Sequence, residues 1–211
     1  MVKPPSPPPR QPRSLATERR LIDAVIGLLH DGGLAACTAP AVAERAGVAV
    51  GTIYRRYPDK DALVAAAILD VVSLRGGERE AQYEAFAREA QNLADFIRRV
   101  AAAAVVTARE HRAFLLAIKA FARSATDPAW RASFEAEVGR ARSVIARSAL
   151  DRFGAEIRGG EPALRMALAA VYGAVETTWL EPVAGLFPET PSPDAFVEAL
   201  VDMQAAYLGR R

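Results

Sequence analysis

Cysteine is nearly absent from this chain of 211 residues: Cys37 stands alone, so no intrachain disulfide can form and a disulfide-stapled secreted domain is excluded. No long hydrophobic run is present either. Apolar runs such as "VAAAAVV" at 100–106 are far too short to span a bilayer, and the amino-terminal "MVKPPSPPPRQPR" has no apolar core of the kind a signal peptide needs. A reducing cytoplasm is the compartment these shortages fit. Strand-like alternation is missing, which argues against a sheet. No Gly-x-Gly-x-x-Gly follows a strand, no phosphate loop ends in Gly-Lys-Ser/Thr, and no Ser, His and Asp are locally arranged, so no enzyme class finds its motif. The two histidines, His30 and His111, have no second histidine or cysteine at ligand spacing, and the expectation is no metal and no cofactor. Cys37 itself reads as a small buried hydrophobe.

Charge of one sign is also in short supply, because the formal net charge is only +2. Any nucleic-acid argument must therefore come from where the charge sits. Residues 1–61 carry nine Lys/Arg against six Asp/Glu, a net of +3, and the remainder is net −1. Residues 4–12, "PPSPPPRQP", can neither pack a core nor form a helix. A Pro/Arg-rich tail over 1–16 is expected to be disordered. It reads as a solvated leader, as a basic arm on DNA, or as a polyproline ligand for a partner.

What is there in abundance is helical periodicity, with 51% hydrophobic residues to build a core. From Thr17 apolar residues recur at three and four, which predicts an all-α protein. The first helix is expected over 17–31, with Leu21, Val25, Leu28 and Leu29 on one stripe and "DGG" at 31–33 ending it. A short helix follows Thr38, whose hydroxyl can cap it, with Pro40 tolerated in the first turn. Gly47 permits a left-handed turn, and another short helix is expected from about 50 to just before Pro58. Two short helices joined by a glycine turn make a helix-turn-helix. Beyond it the pattern predicts helices from 60 to a break at Gly76-Gly77, then over 81–108, 111–124, 128–155, 162–181 and 193–208. The domain expectation is a DNA-binding unit over 17–62 and a larger helical unit over 63–211.

In such a motif the second helix enters the major groove, so its exposed face must be small or polar. "VGTIYRRY" fits that demand. Gly51 lets the backbone come close, Thr52 offers a hydroxyl and a methyl, and Ile53 points back to the core. Tyr54, Arg55, Arg56 and Tyr57 can reach bases or phosphates, and Lys60 opens the next helix, where its charge favours a phosphate. Each position has a plainer reading as well: Tyr54 as partly core, Thr52 as a structural cap, the arginines and Lys60 as a solvated face.

The stretch "TAPAVAERAGVAVGTIYRRYPDKDAL" resembles the DNA-binding domain of the TetR family of transcriptional regulators. The match runs through Thr38, Ala43, Ala46, Gly47, Val48, Gly51, Thr52, Ile53, Tyr54, Tyr57 and Lys60. The resemblance implies a TetR-like fold of about nine helices. It implies base or phosphate contacts by Val50, Thr52, Tyr54 and Arg56, and phosphate contacts by Thr38 and Lys60. Departures stand at Ala49, where the family usually has a capping serine, at Pro40, and at Arg55 and Arg56 in place of the commoner histidines. The resemblance further implies carboxy-terminal helices that bind a small effector and form a homodimer, hence a repressor acting on a double-stranded operator. An all-α ligand-binding or protein-interaction module that no longer reads DNA is the alternative.

In the larger unit, Leu164, Leu168, Val171 and Val175, and then Phe196, Leu200, Met203 and Tyr207, keep a seven-residue repeat that suits either a dimer interface or their own subunit's core. For an effector pocket the candidates are Phe114, Phe121, Trp130, Phe134, Tyr172 and Trp179 as apolar walls. His111, Arg123, Glu176 or Thr177 would supply the polar contacts.

Overall fold

A computed structural model describes residues 12–209, and every regular element among them is helical. The chain divides into two compact units, Met1–Val71 and Val72–Arg211.

In the first unit α1 spans Pro12–Ala36 and bends at Gly32 and Gly33, whose φ of 66° at Gly33 lies in the left-handed region. The expected glycine stop is thus where the helix breaks direction, although the helix begins at Pro12 rather than Thr17. Of the tail expected over 1–16, residues 1–11 lie outside the described residues. Leu21, Val25 and Leu29 are fully buried, and Leu28 on the same stripe is half-buried. The helix α2, Ala39–Ala46, packs against α1 through Ala39, Val42, Ala43 and Ala46. The Arg45 side chain lies across Gly27 and pairs with Asp31, which pins α2 to α1 at a point where a larger residue than glycine would collide with the guanidinium. The next helix, α3, is a single turn, Gly51–Tyr54, shorter than the sequence suggests. Backbone bonds from Arg56 and Tyr57 to the Ile53 carbonyl, both 2.9 Å, carry the turn on before Pro58. Asp59 accepts from the Ala62 amide at 2.7 Å and starts α4, Lys60–Glu89.

The expected break at Gly76-Gly77 does not occur, because α4 runs through it. A glycine costs only about 1 kcal/mol in a helix interior, and a long helix buried on both sides of the pair absorbs that. Val71 before the pair and Tyr83 after it are buried. The expected 81–108 helix is instead cut at Ala90–Asn92. The Asn92 side chain accepts from the Asp95 amide at 2.9 Å, and Asp95 accepts from the Gln91 amide at 3.1 Å, a reciprocal cap that starts α5, Leu93–Glu110.

The remaining helices of the second unit are α6, Arg112–Ser124; α7, Pro128–Phe153; α8, Gly160–Val175; and α9, Pro193–Leu208. At the end of α8 the backbone widens into one π turn, Glu176–Leu180, closed by the Glu181 amide on the Glu176 carbonyl at 2.8 Å. Phe96, Ile97, Val100 and Val105 of α5 meet Ile145 and Phe153 of α7, Leu164 and Val171 of α8, and Phe196, Leu200 and Leu208 of α9 in one core. No helix among the described residues is long and apolar enough to cross a membrane.

Candidate nucleic-acid interface

The turn between α2 and α3 is built by Gly47, which has φ 63° and ψ 44°. Its amide reaches the Glu44 carbonyl at 3.0 Å and the Val48 amide reaches the Ala43 carbonyl at 2.9 Å, the paired closure that a left-handed residue allows at a helix end. At the other end of α2 the Thr38 hydroxyl accepts from the Ala41 amide at 3.3 Å. Thr38 is exposed, and a hydroxyl that accepts here can still donate to an external group.

From this frame α3 buries one side chain, Ile53, and turns the rest out. Val50 is 37% exposed and Tyr54 53% exposed, unusually open for such large apolar surfaces. Gly51 is exposed, and no atom of the protein lies within 4 Å of where a Cβ would sit. The glycine is therefore not required by the protein's own packing at that point. Arg55 donates to the Thr52 hydroxyl at 3.0 Å, Arg56 donates to the Ser14 hydroxyl of α1 at 3.0 Å, and Lys60 pairs with Asp61 at 2.8 Å. All three cations rest on exposed or half-exposed partners, an arrangement that loses little when a phosphate replaces the partner. No side chain caps α3, as the alanine at position 49 implies.

Tyr57 is the exception within the group. Its hydroxyl is buried, so the ring braces the turn and does not offer its oxygen to an external partner. Cys37 is buried beside α1, its thiol near the Val25 and Gly33 carbonyls, and burial pushes the thiol above its ordinary value.

The residues expected to form an effector pocket in the second unit are not brought together. Phe121 and Trp130 meet edge to face at 5.1 Å, and Trp130 stacks on Phe134 at 5.2 Å, so these rings fill space between α6 and α7. Phe114 is buried on the same face of α6, and His111 forms the joint between α5 and α6. Arg123 is 3.1 Å from Glu181, Lys119 bridges Glu176 and Glu181, and the Thr177 hydroxyl donates to the Gly173 carbonyl at 2.9 Å. Trp179 packs edge to face on Phe196 with the Arg109 guanidinium 5.4 Å above its ring. Of the ten, only Tyr172 and Glu176 line a cavity of about 390 Å³ between α7 and α8. Its other walls, Arg142, Ile145, Arg165, Leu168, Ala169 and Gly173, carry no local sequence signal, because only the packing of α7 on α8 brings them together.

The seven-residue stripe divides in the same way. Leu164, Leu168, Val171, Val175, Phe196 and Leu200 are buried in their own unit's core, whereas Met203 and Tyr207 are exposed. The heptad spacing identifies each helix's apolar face but cannot say whose core that face enters.

The tetR-family model of bacterial regulatory proteins matches residues 21–67, from within α1 through α2, the turn and α3 to the start of α4. The HTH-type transcriptional repressor KstR of Rhodococcus jostii is 48% identical over 50 residues, a match covering 24% of this chain and 24% of that protein. Over the whole chain the likeness is one of fold. A TetR transcriptional regulator from Rhodococcus sp. RHA1 superposes with a TM-score of 0.53 at 24% identity, covering 91% of this chain and 97% of that one. The regulator FadR from Bacillus subtilis, solved in complex with stearoyl-CoA, superposes with a TM-score of 0.61 at 15% identity, covering 90% and 98%. The amino-terminal unit thus matches the tetR family of bacterial regulatory proteins by sequence, and over its whole length the chain shares the fold of solved TetR regulators.

Proposed function

We propose that this chain is a homodimeric, sequence-specific DNA-binding regulator, a repressor that leaves an inverted-repeat operator when a small molecule occupies its larger unit. The observation that carries the reading is the open face of α3. Gly51 has space above its backbone, and Thr38, Thr52, Tyr54, Arg55, Arg56 and Lys60 are exposed or half-exposed around it with only weak internal partners. A protein that used this segment for its own packing would bury those groups; a major groove needs them out.

Arginine and lysine at the end of the turn suit phosphates, while the chemistry of Val50, Thr52 and Tyr54 suits base edges and thymine methyl groups. Tyr57 supports them from behind. Being a repressor agrees with KstR, whose similarity lies in this region.

For the homodimer the support is the free face of α8 and α9. Met166 is 62% and Met203 63% exposed, and beside them lie Ala170, Gly173, Ala199 and Tyr207, a surface of small and apolar groups that permits close helix approach. Twofold pairing puts the two α3 turns about one DNA turn apart, roughly 34–36 Å, and asks for an inverted repeat. The effector must bind the DNA-incompatible geometry better than the DNA-bound one, and it then weakens DNA affinity by that same factor. The site of action is the cytoplasm, where the DNA of a bacterial regulator lies.

The test is a gel shift of purified chain on DNA upstream of its own gene, with Arg56→Ala and Lys60→Ala beside the parent. Both variants should weaken the complex while the oligomer stays folded. Unchanged affinity in both would remove α3 and its flank from the interface.

A further inference from the structure

We propose that the cavity between α7 and α8 is a binding site for a small amphiphilic organic anion, a molecule with a carboxylate-like head and a compact apolar body. At about 390 Å³ it falls within the range of ligand cavities, roughly 300–1,000 Å³. Its floor is apolar, from Ile145 and Leu168, and Ala169 and Gly173 leave room where longer side chains would close it. Two arginines from two different helices line it, Arg142 on α7 and Arg165 on α8.

Arg142 makes no ion pair among the described residues and acts electrostatically on the Tyr172 hydroxyl. Arg165 is engaged only with Glu161, one turn away on its own helix at 2.6 Å. The Tyr172 hydroxyl meets the Tyr83 hydroxyl of α4 at 3.0 Å. With Tyr83 as the donor of that bond, the Tyr172 O–H is left to give to a guest. Burial keeps Tyr172 in its neutral form, its pKa pushed well above the usual tyrosine value. The remaining charged wall, Glu176, is already taken up by Lys119 from α6, so its charge is not free to repel an anion at full strength.

Donors outnumber free acceptors in this pocket, and the donors surround an apolar floor. A guanidinium with a tyrosine hydroxyl beside it recognises a carboxylate or sulfonate through charge-assisted bonds, while the floor takes an aromatic ring or short acyl chain. Arg165, Ala169 and Tyr172 of α8, with Glu176 just after it, follow helical spacing along the cavity, and Gly173 belongs both to its lining and to the small-residue surface proposed for the dimer, so the cavity borders that face. The assignment of this anion as the effector rests on the regulator reading above; its binding does not.

The test uses two probes on the full chain without DNA: 8-anilinonaphthalene-1-sulfonate, which is anionic, and N-phenyl-1-naphthylamine, which has the same rings and no charge. The sulfonate should bind saturably. Arg142→Gln combined with Arg165→Gln should weaken it by about tenfold or more, the loss expected of a charge-assisted contact, and leave the amine within about twofold. Ala169→Phe, which fills the cavity from an exposed position, should weaken both probes, with circular dichroism confirming an unchanged helical fold. Equal sulfonate affinity in the arginine variant, equal loss of both probes there, or no saturable binding to the parent would each overturn the proposal. Because no DNA is present, a failure here and a failure of DNA binding are read separately.

Discussion

The Arg56 guanidinium donates to the Ser14 hydroxyl at 3.0 Å, a bond between the end of the α3 turn and the first helix across 42 residues of sequence. Both residues stand at the surface, so the bond parks the arginine without holding it firmly. If Arg56 leaves Ser14 to grip a phosphate, the serine is dispensable and the arginine is not. Ser14→Ala should keep DNA affinity within about threefold of the parent, while Arg56→Ala should lose about tenfold or more, as for one charged contact of ~1.5–3 kcal/mol. Fluorescence anisotropy on a labelled duplex measures both. An equal loss in the two variants would make Ser14 a necessary guide for Arg56.

Gly51 separates stability from binding. A methyl group there meets no atom of the protein, and glycine is a poor helix former, so Gly51→Ala should hold or raise thermal stability, by up to about 1 kcal/mol. Against DNA the same methyl should cost affinity, because the close backbone approach is lost. Retained operator binding in a well-folded Gly51→Ala variant would mean that α3 does not press into the groove at that residue.

Gly47 and Asn92 test the local geometry. At φ 63° an alanine is strained, and Gly47→Ala should destabilise the first unit by about 1–2 kcal/mol. Asn92→Ala, which removes the cap on the Asp95 amide, should cost about 1 kcal/mol in the second unit. Urea midpoints report both.

Lys119, Arg123 and Glu181 make part of the second unit's stability pH-dependent. The hydrogen bond from Lys119, and then that from Arg123, hold the Glu181 carboxyl below its ordinary range. A carboxyl with a lowered folded value contributes stability above the unfolded carboxylate range, and that contribution is lost as pH falls through the folded value. Glu181→Gln should therefore be less stable than the parent at neutral pH and indistinguishable from it in acid below the carboxylate range. Urea denaturation at both pH values checks this; an equal gap at both would assign the loss to packing.

Some of this was legible in the sequence because it is decided by neighbouring residues. The Thr38 cap, the left-handed Gly47, buried Ile53 and the exposed polar residues of the α3 turn are set within a dozen positions. The cap at Asn92 was also legible in kind, since an Asn with an acidic residue three positions on is a helix start, but continuous apolar periodicity through 81–108 hid it. Gly76-Gly77 misled in the opposite direction, because a glycine pair weakens a helix without having to end it. What the sequence did not carry was the partner of each apolar face. Leu164 and Leu200 keep the same seven-residue spacing whether they face their own core or a second copy, and the fold buries them at home. The cavity escaped for the same reason: Arg142 and Tyr172 lie 30 positions apart and meet only when α7 packs on α8.

The central claim is that the α3 face binds DNA through phosphates and base edges, and the most direct measurement is an anisotropy titration on upstream duplex at a series of salt concentrations with nonspecific competitor. The account predicts a competitor-resistant complex whose log affinity falls linearly with log salt, with a slope of about −0.9 for each phosphate neutralised, and a slope shallower by about one in Lys60→Ala. A complex that salt does not weaken, or no preference for any upstream duplex over a scrambled one, would contradict it.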